Sequence, residues 1–65
     1  MRTWIVHRNS GYADYCLTIN AETEEKMLDS LDSTVRDVMS ETGCDHNDIV
    51  VGEIINQRHV VFTLK

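Results

Sequence analysis

"ETEEKMLDSLDSTVRD", residues 22–37, decides how the rest of the chain is read. Six acidic side chains fall in these sixteen positions, with Met27, Leu28, Leu31 and Val35 between them. Together with Val38 and Met39, the apolar residues recur at i, i+1, i+4, i+8, i+11 and i+12. On a helix of 3.6 residues per turn they occupy an arc of about 120°, one stripe suited to burial. Asn20 is placed to cap such a helix, and Glu22 and Glu24 suit the positive end of its dipole. Gly43 stands where a C-cap glycine belongs. The spacing predicts a helix over 21–42.

Before the helix, "TWIVHR" and "YADYCLTI" are rich in aromatic and β-branched residues, with a turn signal between them. With Ser10-Gly11 as a two-residue loop, Trp4 and Val6 share a face with Ala13, Tyr15, Leu17 and Ile19. The opposite face carries Ile5, His7, Asp14, Cys16 and Thr18, and His7 faces Asp14. A three-residue loop would spoil this split, because a slip of one residue flips a strand's side chains. After the helix, "DIVVGEII" and "RHVVFTLK" flank Asn56-Gln57 and read as a second hairpin. A two-residue loop there gives one face Ile49, Val51, Ile55, Val60, Phe62 and Leu64. A three-residue loop gives Val50, Ile54, Val60, Phe62 and Leu64, and the sequence leaves both registers open.

The expected architecture is α+β, in the order ββαββ: a four-stranded, mostly antiparallel sheet with one amphipathic helix packed on one face. Residues 1–65 form a single compact domain in this reading. One helix cannot cover both faces of a sheet. The uncovered face would show Ile5, Cys16 and Val61 with two further aliphatics, and apolar patches of that kind commonly mark interaction surfaces. A C2 homodimer is expected, stacked sheet on sheet or extended edge to edge. It would also enlarge the core of a chain that buries only roughly 60% of the surface it exposes when unfolded.

The composition is that of a globular protein: 42% hydrophobic, 26% charged, three Gly and no Pro. No apolar run nears the 18 or so residues that cross a bilayer, and the first residues lack the pattern of a signal peptide. A cytoplasmic protein is expected, in the host cytoplasm if the gene is viral. Cys16 and Cys44 do not make a disulfide framework, and in a reducing compartment they are free thiols. The net charge is -5. Residues 21–43 hold seven acids against Lys26 and Arg36, so this segment alone carries a charge equal to the whole. There is no basic stripe to neutralise phosphates, and direct nucleic-acid binding is not expected.

No catalytic constellation is visible. Cys44 and His46 offer two metal ligands, but a closed zinc site needs four. Neither cysteine has a cationic neighbour in sequence to activate it. Gly11, Gly43 and Gly52 are isolated, so no glycine-rich phosphate loop exists. The acids fall on the solvent side of the helix, where carboxylates make poor general acids at neutral pH. The chain is expected to be non-enzymatic and to need no cofactor or metal.

What remains is the acidic face. Glu22, Glu25, Asp29 and Asp32 fall at i, i+3, i+7 and i+10, with Asp37 beside them. Neighbours three or four apart on a helix lie about 5–6 Å from each other. Phosphates along one nucleic-acid strand are roughly 6–7 Å apart. The face therefore suits a basic protein surface, including one built for nucleic acid. The expected function is an inhibitor or regulator that occludes a basic partner, of the size and charge common in phage and mobile-element proteins. The alternative is an oligomeric binder of a small nucleotide-like ligand, in a subunit-interface pocket lined by Trp4, His7, Tyr12, Tyr15 or His59.

Overall fold

The computed structural model describes residues 1–9, 11 and 14–63, except the side chains of 59 and 61–63. The fold is α+β, with one helix packed on an antiparallel sheet. Strand β1 is Arg2–Arg8, β2 is Cys16–Ala21, helix α1 is Glu24–Thr42, and β3 is Ile49–Ile55. A single 3-10 turn, His46–Asp48, leads into β3. A further strand, β4, Arg58–Thr63, runs antiparallel along β3, and the strand order is β2-β1-β3-β4. The helix rests mainly on β2 and β1 and only lightly on β3.

The first hairpin differs from the expected one in its loop. His7 pairs with Cys16, not Asp14, and Trp4 with Ile19. The register has moved by two residues along β2, so Cys16, Leu17, Thr18 and Ile19 keep their faces and only the partners change. The cause lies in the connection. Gly11 N–H donates to the Arg8 carbonyl, and Asp14 and Tyr15 N–H groups donate to the Gly11 carbonyl. The Arg8 guanidinium meets the Asp14 carboxylate at 3.0 Å. These bonds hold Gly11, Asp14 and Tyr15 outside the ladder, which ends at Arg8 in β1 and begins at Cys16 in β2. Ser10, Tyr12 and Ala13, which the expected hairpin used, lie outside the described residues.

The helix also starts later than its pattern suggested. Ala21 pairs with Arg2 as the last residue of β2, and Asn20 Oδ1 accepts from Thr3 Oγ1 across the strands at 2.8 Å. Asn20 is therefore a strand residue. Thr23 is the cap, its hydroxyl accepting from Lys26 N–H at 3.2 Å. At the far end Gly43 is left-handed, with φ 72, and its N–H donates to the Met39 carbonyl at 2.8 Å.

In the second hairpin the two-residue loop holds. Ile55 pairs with Arg58, and Asn56 and Gln57 have φ 50 and 64, as a type I′ turn requires. Ile49 and Val51 point to the helix with Trp4, Val6 and Ile19, and close on Met27, Leu31, Val35 and Val38 of α1. Leu28, expected in that stripe, is 51% exposed. Its place at the edge of the arc turns it out of a helix seated over β2 and β1.

A candidate partner-binding face

The helix presents its acids as its cap and packing dictate. With Met27, Leu31, Val35 and Val38 turned inward, Glu25, Asp29 and Asp32 form a row at i, i+4 and i+7 on the exposed side, continued by Arg36. Asp37 is exposed on a different side of the helix. Glu22 precedes the Thr23 cap and is not helical, so it does not extend the row as expected. Among the described residues, the ion pairs join Arg2 to Glu53 and Arg8 to Asp14. The helix acids, Lys26 and Arg36 take no part in them.

A shallow groove of about 240 Å³ opens beside this row, lined by Asp32, Val35, Arg36, Met39 and His46. Val35 belongs to the core, Met39 is half-buried, and His46 reaches the groove from the 3-10 turn before β3. Leu28 lies one turn before Asp32 on the same helix line. Neither Leu28 nor the groove was anticipated from the sequence. Its only trace there was the position of Leu28 and Met39 at one border of the apolar arc.

On the sheet face away from the helix, Ile5 is only 4% exposed, on an inner strand between Thr18 and Gly52. Cys16 is half-buried, as are Val50 and Ile54. The Val61 side chain lies outside the description. Of the three residues expected at an oligomer interface, Ile5 thus offers little surface of its own.

Of the proposed pocket residues, Trp4 is fully enclosed in the core, and Tyr15 packs half-buried against it. Burial, with lesser contributions from Glu41 and Asp37, pushes the Tyr15 hydroxyl above its ordinary pKa. His7 is buried, with Nδ1 2.7 Å from the Arg8 carbonyl. Tyr12 and the His59 side chain fall outside the described residues. Cys44 packs against the core and receives the Thr42 hydroxyl at 3.1 Å. Among the described residues, no three His, Cys, Asp or Glu side chains converge as a metal site would need. No described helix is long and apolar enough to cross a membrane.

Sequence reasoning also missed a polar clasp inside the helix-covered layer. Glu53 stands at the core parity set by Ile49 and Val51, opposite Trp4, and is 5% exposed. Arg2 donates to both its carboxylate oxygens, at 2.7 and 2.9 Å, and lies 4.6 Å from the centroid of the Trp4 ring. The fork holds the Glu53 carboxyl below its usual range, although burial opposes this. The visible signal was an acid at i+2 from Val51, in phase with the core.

Compared with family models, curated proteins and solved structures, the chain matches none.

Proposed function

We propose that this chain is a small, acidic, non-enzymatic binding protein that inhibits or regulates a basic partner protein by occluding it with the outer face of α1. One observation carries this reading: Glu25, Asp29 and Asp32 stand exposed in a row about one turn apart, outside the ion pairs of the described residues, which engage Glu53 and Asp14. Unpaired carboxylates in a row produce a local negative potential that steers a basic surface toward it. Their spacing suits cations arranged to follow a phosphate backbone, so the favoured partner is a nucleic-acid-binding protein. The sheet in its full four-stranded form, β4 included, serves as the frame that holds α1 rigid. A homodimer through the face opposite the helix, acting in the cytoplasm of a cell or a viral host, completes the proposal. The small-ligand alternative gains no observation in its favour, since Trp4 is enclosed and cannot stack on a ligand.

The test is an affinity pull-down of the tagged chain from nuclease-treated lysate, read by mass spectrometry at low and moderate salt. A dominant basic protein should be recovered, lost at higher salt and lost with the double variant Asp29→Lys, Asp32→Lys. Binding that survives both changes would show that the acidic row is not the contact.

A further inference from the structure

We propose, building on that reading, that the partner supplies an amphipathic basic segment whose apolar side chains seat on Leu28 and in the groove between α1 and His46. Leu28, Asp32, Val35 and Met39 lie at i, i+4, i+7 and i+11, one line along α1 that spans about 16 Å. Leu28 is half exposed at one end of the line. At the other, Val35 and Met39 contribute the apolar lining of the groove of about 240 Å³. An apolar cavity of about 150 Å³ accommodates a benzene ring, so this groove has room for one aromatic or branched side chain. An occupant that used only charge would leave both features bare.

The charges around the line specify the occupant further. Glu25 and Asp29 flank the Leu28 end, Asp32 stands on the line and lines the groove, and the Arg36 guanidinium and His46 imidazole border the Met39 end. A complementary segment carries cations beside its first apolar anchor and a carboxylate beyond its last. A second copy of this chain fits less well. Antiparallel packing that sets Leu28 against Met39 of another copy places Asp32 opposite the second copy's Val35, but it brings together two chains of net charge -5, a repulsion that a basic segment does not meet.

The probe is a designed helical peptide with a leucine face, lysines flanking it and one terminal glutamate. Two control peptides accompany it, one with the leucines changed to serine and one with the lysines changed to glutamate. Each is titrated into the isotope-labelled full chain and followed by amide chemical shifts. The leucine–lysine peptide should bind at least tenfold tighter than the serine peptide, move Leu28, Val35, Met39 and His46, and lose about tenfold against Leu28→Ser. The lysine-to-glutamate peptide should not bind. Equal binding of the leucine and serine peptides would overturn the anchor while leaving occlusion by charge intact. No binding of the leucine peptide, or shifts confined to the sheet, would also overturn it. Self-association of the chain through Leu28 and Met39 would do the same. The pull-down tests occlusion separately.

Discussion

Gln57 holds φ 64 beside Asn56 at φ 50. For an L-residue other than glycine, left-handed backbone costs roughly 1–2 kcal/mol, because Cβ crowds the following carbonyl. Asn tolerates the region by local hydrogen bonding; Gln has no such compensation, and Asn-Gly is the preferred pair for this turn. Gln57→Gly should stabilise the chain by about 1 kcal/mol at most, since glycine also frees the unfolded chain. The urea midpoint should rise with an unchanged slope. A lower midpoint would mean that the Gln57 side chain contributes more than its backbone strain removes. Glu53 gives a second residue-level expectation. Its carboxyl titrates below the ordinary 4.5 in the folded chain because the Arg2 fork favours the ionised form. A folded pKa below the unfolded one gives stability that is present above about pH 4.5 and is lost as pH falls through the folded value. Melting temperatures taken from pH 7 to pH 2 should fall more steeply for the native chain than for Glu53→Gln. Parallel curves would remove the clasp from the acid response.

Within α1, burial should separate two leucines of identical chemistry. Leu31→Ala empties a site 8% exposed in the core and should cost about 2–5 kcal/mol, enough to unfold much of so small a domain. Leu28→Ala, at a half-exposed site, should stay within about 0.5 kcal/mol. Equal losses would mean that the helix sits differently on the sheet. Thr23→Ala should cost about 1 kcal/mol through the lost cap, and Asn20→Ala should leave helix content unchanged. These contrasts show where the elements were legible. The 3.6-residue period placed α1, and Gly43 marked its end, because both signals are local. The helix start was not legible: Asn20 and Thr23 are both good caps, and the pairing of Ala21 with Arg2 decides between them. Alternation gave the faces of β1 and β2 correctly. The loop escaped because its bonds to Gly11 span several residues and match no short turn signature. Glu53 escaped because its acceptability in the core depends on Arg2, 51 positions away. On the candidate face, Glu25, Asp29 and Asp32 were legible from helical spacing, whereas the groove needs His46 brought in from another element.

At the scale of the whole molecule, charge and area constrain assembly together. The chain exposes 4622 Å², against about 4,200 Å² expected from its mass of 7.5 kDa, so its surface is somewhat generous. An interface of standard size, about 800 Å² per partner, would cover roughly a sixth of it. The proposed homodimer would stack the faces opposite the helices, around Ile5, Cys16 and Val61. That arrangement leaves both acidic rows outward and available. Two chains of net charge -5 still repel each other as they approach. Added salt screens that repulsion within about 10 Å at 0.1 M. Salt should therefore tighten the dimer while loosening the basic partner, an opposite response from two surfaces of one small domain. Sedimentation velocity over a concentration series, at low and moderate salt, should show a dimer population that grows with both variables. Thr18→Lys sets a charge on the exposed side of β2 beside Ile5 without removing core volume, and should return the chain to monomer. A monomer at every concentration and salt would exclude the stacked dimer and leave α1 to act alone. A dimer that survives Thr18→Lys would move the contact to another surface, with Ile55 and Val60, 42% and 39% exposed on the helix side of the sheet, the next residues to charge.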